Sequence, residues 1–74
     1  MGTKEFNALS LDKRSKLVFT EGKLIGISKE YSIQKGFFYK LHDLKVDVIY
    51  DKSRNMLFDI KAWENNKDRA AFLR

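Results

Sequence analysis

The chain has 74 residues and a net charge of +5, and 43% of its residues are hydrophobic, 14% aromatic and 34% charged. This length allows one small domain, and the apolar content is high enough for a folded core, so an intrinsically disordered chain is excluded. The chain has no cysteine, which excludes disulfide scaffolds, cysteine-ligated zinc and thiol catalysis. No apolar run approaches the roughly 18 residues that span a bilayer and no signal-peptide pattern is present, so we expect a cytoplasmic protein without membrane contact.

Residues 1–22 predict a helical segment in two parts. Ser10 has the side chain of a helix N-cap, and Asp12 follows in the first turn, where a negative charge is favourable. Gly22 is expected to end the helix in a left-handed conformation, as glycine commonly does after a helix C-terminus.

Residues 23–63 predict an antiparallel β-meander. The cleanest strand pattern alternates apolar side chains with polar ones through Leu44, Val46, Val48 and Tyr50. Reversals are expected at Gly36, at His42-Asp43 and at residues 51–55, and such short connections join antiparallel strands. The expected fold is α+β, with the helical segment packed on one face of a three- to four-stranded antiparallel sheet.

Residues 64–74 form a tail outside the meander. Asn66 as a cap and Asp68 after it predict a short C-terminal helix of one or two turns. Phe72 and Leu73 need an apolar surface to dock on, since an undocked chain end frays.

Three segments carry a family resemblance: Leu9-Ser10-Leu11-Asp12-Lys13, Glu21-Gly22-Lys23 and Lys45-Val46-Asp47-Val48-Ile49-Tyr50-Asp51. In these segments, and over about residues 9–63, the chain resembles a group of short, uncharacterised bacterial proteins. The resemblance implies a leading helix, a glycine after it and a meander whose third strand alternates apolar and acidic residues. It implies no activity and assigns a role to no residue.

Strand alternation divides the sheet into two faces. The face expected to pack against the helical segment collects the larger apolar set: Ile25, Ile27, Tyr31, Ile33, Phe37, Tyr39, Leu41, Leu44, Val46, Val48, Tyr50, Phe58 and Ile60.

The opposite face is mostly charged but contains four large apolar residues. We expect Phe38, Ile49, Leu57 and Trp63 to form an apolar island rimmed by lysines and aspartates, which is the composition of a protein-contact surface. Three alternatives remain open. Phe72 and Leu73 cover the island, a one-residue register slip exchanges the faces, or the contact uses an unpaired sheet edge instead.

A second interpretation of the same face is single-stranded nucleic-acid binding. The run Lys35–Lys40 partly matches the RNA-recognition signature of a basic residue, glycine and aromatics, but departs from it at Phe38 and Lys40. In this interpretation Lys40, Lys45 and Lys61 contact phosphates while the aromatic rings stack on bases.

The sequence contains no pattern for catalysis, for a cofactor or for a metal ion. His42 is the single histidine, and beside Asp43 at a reversal it is expected to be an exposed turn residue. Asp47 and Asp59 share a face with lysines, so we expect cross-strand ion pairs rather than a pair of catalytic carboxylates. The sequence therefore favours a non-enzymatic interaction module that binds a protein partner or a second copy of itself.

Overall fold

The structure is a computed structural model that describes the backbone of residues 1–72 and the side chains of residues 1–70. Within these residues the fold is α+β, as predicted: a helical pair, a four-stranded antiparallel meander and a short final helix. The elements in chain order are α1 (Thr3–Ala8), α2 (Leu11–Glu21), β1 (Lys23–Glu30), β2 (Gln34–Leu41), β3 (Leu44–Asp51), β4 (Met56–Trp63) and α3 (Asn66–Phe72).

The strands lie in the sheet in chain order, β1-β2-β3-β4, so β1 and β4 form its two edges. The reversal predicted at His42-Asp43 is confirmed, because Leu41 pairs directly with Leu44 across it. Gly36 is not a reversal: it lies inside β2, and the chain turns earlier, at residues 31–33.

Side-chain hydrogen bonds to the backbone mark where helices α2 and α3 begin. The Ser10 hydroxyl accepts a hydrogen bond from the Lys13 amide at 3.2 Å, which confirms the predicted cap of α2. Gly22 does not adopt the predicted left-handed conformation, since its φ is −81° and the chain runs straight on into β1. The cap of α3 lies one residue earlier than predicted, because Asn65 Oδ1 accepts from the Asp68 amide at 2.9 Å.

The core lies between the helical pair and one face of the sheet. Helix α1 packs on β4, and α2 packs on β2 and β4, so the helices cover the sheet from β2 to β4 and leave β1 uncovered. The buried side chains of this core are Phe6, Val18, Leu41, Leu44, Val46, Val48, Ile60 and Ala62.

The prediction that β1 contributes to this core was wrong. Ile25 and Ile27 are more than half exposed, and so are Tyr31 and Ile33 in the following turn. The alternation of apolar residues is present in β1, but the two short helices do not reach this edge of the sheet. The apolar side chains of β1 therefore stay in contact with solvent.

The predicted positions of Leu57 and Phe58 were also wrong. The β3–β4 register shifts by one residue, since Ile49 pairs with Asp59 but the next residue, Tyr50, pairs with Leu57. Phe58 is the extra residue of this bulge and is 60% exposed, whereas Leu57 packs against the core. A bulge exchanges the faces of the residues beyond it, so Leu57 lies on the helix side and not with Phe38.

Gly22 provides a test of how closely the chain passes the last turn of α2 as it leaves the helix. A Cβ at this position would lie 2.5 Å from the Val18 carbonyl oxygen, whereas a Cβ at Gly26 would meet no atom within 4 Å. We expect Gly22→Ala to lower the free energy of unfolding by about 1–3 kcal/mol, since backbone must move to relieve the contact. Urea denaturation measures the loss, and Gly26→Ala is the matched control with little or no loss. Equal stability of the two variants would contradict this packing.

Candidate interaction surfaces

The outer edge of β4 is closed by side chains from the helical pair. Asn7 Nδ2 donates to the Ala62 carbonyl at 3.0 Å, and Asn7 Oδ1 accepts from the Ala62 amide at 2.9 Å. From α2, Arg14 Nη1 donates to the Ile60 carbonyl. The amide of Asn7 thus takes the place of a neighbouring strand, and this half of the edge is not available to another chain.

The outer edge of β1 differs from that of β4. Among the described residues no further strand pairs with it, and β1 is the strand most exposed along its length. Two register shifts, at Leu24–Gly26 and at Ile27–Lys29, bend the strand. Bulges of this kind limit edge pairing, but the large apolar side chains beside them favour it.

An apolar groove of about 260 Å³ opens on the helix side next to β1. Its floor is formed by strands β2 to β4, and its two walls are Phe19 of α2 and Leu24 of β1. The full lining is Phe19, Leu24, Phe37, Tyr39, Val48, Tyr50 and Leu57. The groove exists because neither helix packs on β1, so the sheet stays open between α2 and this edge.

The sheet face opposite the helices, here called the aromatic face, carries three of the four residues predicted to form a partner surface. Phe38 is half-buried, Ile49 is 3% exposed and Trp63 is 7% exposed. The rings of Phe38 and Trp63 lie 5.9 Å apart, centroid to centroid. The predicted island therefore forms without Leu57, but most of its area is withdrawn from solvent within this chain.

Arg69 of α3 is the side chain that covers the aromatic face. Its Nε donates to Asp47 Oδ2 at 2.9 Å and its Nη2 donates to Asp47 Oδ1 at 3.2 Å. The guanidinium carbon also lies 4.6 Å from the centroid of Trp63 and 5.2 Å from that of Phe38. Asp47 is 0% exposed, and this two-fold contact compensates its buried charge.

The covering of the aromatic face by Arg69 was not predicted. Lysine partners were predicted for Asp47 and Asp59, whereas the structure gives each an arginine, Arg69 at 2.9 Å and Arg14 at 3.5 Å. Covering by Phe72 and Leu73 was one of the alternatives left open, and the side chains of both lie outside the described residues. A lone arginine in a polar tail carries no sequence signal for such a contact.

The three lysines of the nucleic-acid interpretation do lie on the aromatic face. Lys40 and Lys61 are exposed, and Lys45 is half-buried with its ammonium 5.0 Å from the Trp63 ring centroid. The buried carboxylate of Asp47 lies among them, directly opposite Lys61 in the β3–β4 register. This face is thus basic at its rim and acidic at its centre.

His42 lies at the β2–β3 turn with its side chain mostly exposed. Its Nε2 lies 2.9 Å from Glu21 Oε1, so it pairs with the end of α2 and not with its neighbour Asp43. The pair borders a shallow cavity of about 310 Å³ together with Met1, Leu17, Leu41 and Leu44. No serine, threonine or cysteine lines this cavity, and the arrangement therefore offers a proton acceptor without a nucleophile to activate.

The described residues contain neither a metal-binding cluster nor a membrane-spanning helix. No group of three or more His, Cys, Asp or Glu side chains there is arranged to hold a metal ion. No helix in this part of the chain is long and apolar enough to cross a membrane.

Comparisons of the chain with protein-family models, with curated proteins and with solved structures find no match. Any functional assignment therefore depends on the surfaces described above.

Glu30 lies at the end of β1, where its carboxylate pairs with Lys35 and Lys52. A hydrogen bond from Lys52 and the nearby charge of Lys35 lower the pKa of the Glu30 carboxyl below its ordinary value of 4.5. A lowered pKa adds stability above the ordinary value, and this stability is lost as the pH falls through the lowered pKa.

We therefore expect Glu30→Gln to weaken the dependence of stability on pH below about pH 5. Urea denaturation between neutral and acidic pH measures this dependence for the variant and the parent. Glu64→Gln, which removes an exposed carboxylate away from β1, is the control. An unchanged acid dependence in Glu30→Gln would contradict the role given to the two lysines.

Proposed function

We propose that the protein is a cytoplasmic, non-enzymatic interaction module that associates with a second copy of itself through the β1 edge. The observation that carries this proposal is the difference between the two sheet edges. The helical pair closes the half of the β4 edge at residues 60–62, while β1 has no neighbouring strand on its outer side among the described residues and lies beside a groove lined by apolar side chains. An open edge next to exposed apolar side chains is a surface for strand pairing between chains.

The exposed apolar area supports a second copy as the partner. Six large apolar side chains on this side of the molecule are each more than half exposed: Phe19, Leu24, Ile25, Ile27, Tyr31 and Ile33. At roughly 100 Å² each they offer about 600 Å² per copy, so two copies have about 1,200 Å² available, which is the lower limit for a stable interface.

The β1 edge can also pair with the β1 edge of a second copy across a two-fold axis. Two β1 strands related by such an axis run antiparallel, and the same residues contact one another from both copies. Leu24 and Ile27 lie on the helix side of the sheet, paired with Tyr39 and Phe37 of β2. In a dimer these two side chains pack against their counterparts across the new strand pair, and the four-stranded sheets join into one of eight strands.

The net charge of the protein predicts how dimerisation through β1 responds to salt. Each copy carries a net charge of +5, so two copies repel one another at low ionic strength. Added salt screens the repulsion, and we expect dimerisation to strengthen as salt rises.

Ile27→Lys tests the β1 interface. A lysine in place of Ile27 sets two charges close together across the two-fold axis, so we expect the dimer to weaken by at least about tenfold, or about 1.4 kcal/mol. Sedimentation velocity over a range of protein concentrations measures the mass, and circular dichroism checks that the variant remains folded.

The matched control is Phe58→Lys, since Phe58 is equally exposed but lies on β4. We expect this variant to dimerise like the parent. A parent protein that stays at the monomer mass of 8.7 kDa at its highest soluble concentration would contradict the proposal. Equal weakening by both lysine variants would do the same.

Single-stranded nucleic-acid binding is the second candidate, favoured by the lysines at positions 40, 45 and 61 on the aromatic face. It predicts quenching of Trp63 fluorescence by single-stranded RNA or DNA, with an affinity that falls steeply with salt because counterions are released. The two candidates thus respond to salt in opposite directions. Absence of quenching at low salt would exclude the nucleic-acid candidate.

A further inference from the structure

We infer that the aromatic face carries a binding site for a guanidinium group, which Arg69 of the same chain occupies in this structure. The site consists of Phe38, Asp47 and Trp63 and is here called the arginine cage. Its ligand class is an arginine side chain presented by a protein. The inference concerns the sheet face away from the helical pair and does not depend on association through β1.

The cage has the parts that distinguish a guanidinium from other cations. Both oxygens of Asp47 accept from the planar fork of Arg69, at 2.9 and 3.2 Å, and an ammonium has no second nitrogen for such a contact. Two aromatic rings lie within 6 Å of the guanidinium carbon, which is the range of a cation–π contact. The carboxylate and the two rings together match the planar shape and the positive charge of a guanidinium group.

The cage is held by the sheet and not by α3. Phe38 lies on β2 directly opposite Asp47 of β3, and Trp63 ends β4 directly opposite Lys45. Strand pairing fixes the spacing of these positions whether or not Arg69 is bound. With Arg69 in place Asp47 is 0% exposed, and release of Arg69 leaves this carboxylate without its counter-charge between the two rings. This is the driving force for taking up another guanidinium.

Helix α3 is attached to the body of the protein in a way that permits exchange. Of its described side chains, at residues 66–70, only that of Arg69 is partly buried, with 26% of it exposed. A helix of seven residues has little stability of its own in water. Among the described side chains, release of α3 therefore gives up mainly the contacts of Arg69, and an arginine from another chain restores the same contacts.

Because Arg69 occupies the cage, it also lowers the apparent affinity of the cage for any other guanidinium. A ligand binds only to the fraction of molecules in which α3 is released, so the measured affinity is reduced by that fraction. Removing Arg69 removes this competition. We therefore expect Arg69→Ala to bind an added guanidinium more tightly than the parent does.

The test is a titration of Arg69→Ala with N-acetyl-L-arginine amide, followed by the fluorescence of Trp63, the single tryptophan of the chain. We expect a saturable change, weaker by at least about tenfold with N-acetyl-L-lysine amide, which lacks the planar fork. The double variant Arg69→Ala, Asp47→Asn keeps both rings but loses the carboxylate charge, and we expect it to lose the response.

The test remains decisive if Arg69→Ala does not fold on its own. In that case the same titration is followed by circular dichroism, since a ligand that binds only the folded state restores it. No saturable response by either method would overturn the inference, and so would equal responses to the arginine and lysine probes. Either result would leave Arg69–Asp47 as a structural ion pair alone.

A mixing experiment distinguishes the two sources of the arginine. Asp47→Asn retains Arg69 but has an altered cage, whereas Arg69→Ala retains the cage but has no arginine to fill it. Both variants also carry Ile27→Lys, which weakens association through β1, so that a one-to-one complex detected by light scattering assigns the arginine to α3 of a second copy. Binding of the arginine amide without such a complex assigns it to another protein. Both results support the cage.

Discussion

Asn7 lies against the outer edge of β4, and much of the remaining structure depends on this contact. Its amide donates to and accepts from the backbone of Ala62, so it pairs with the strand as a neighbouring strand would. With Arg14 bound to the Ile60 carbonyl, it holds the helical pair against β4 and away from β1. Because the two helices are short, closing this edge leaves the other edge uncovered. The open β1 edge and the apolar groove are both consequences of that placement.

Strand β3 separates two environments within one small sheet. Val46 and Val48 face the helical pair and complete the apolar core, whereas Asp47 and Ile49 face the other way. All four side chains are buried, so both faces of the central strand are covered. On one face the cover is a hydrophobic core, and on the other it includes an arginine bound to a carboxylate between two rings. The first is a permanent part of the fold, while the second is the kind of contact that another ligand can replace.

The sequence was sufficient to predict the fold class, because strand alternation and helix capping are local properties. Ser10 and the alternating residues of β3 lie where their patterns predicted. The sequence was insufficient where the outcome depends on distant parts of the chain. The bulge that moves Leu57 to the helix side arises from pairing between strands, and no alternation within β4 reveals it. The exposure of Ile27 has a similar origin, since it depends on how far the helices reach.

The candidate surfaces were predicted only in part. Phe38 and Trp63 were correctly placed together from alternation, because the register shift lies at the other end of the β3–β4 pair and leaves their positions unchanged. Their burial beneath Arg69 depends on the position of α3, and an arginine five residues from the chain end has no periodic pattern to mark it. The groove was missed because its floor was assigned to the core, on the assumption that the helices cover the entire face. For the aromatic face and for the groove, the sequence indicated which apolar residues share a face of the sheet. It did not show which helix covers them or leaves them open.

Hydrogen exchange of the backbone amides, followed as a function of protein concentration, tests the central claim most directly. The claim is that β4 is closed within one copy while β1 is closed by a second. We expect the Ala62 amide to be protected at every concentration, because Asn7 of the same chain accepts its hydrogen bond. The outward-facing amides of β1 should gain protection as concentration rises. Exchange in β1 that is independent of concentration would contradict the account.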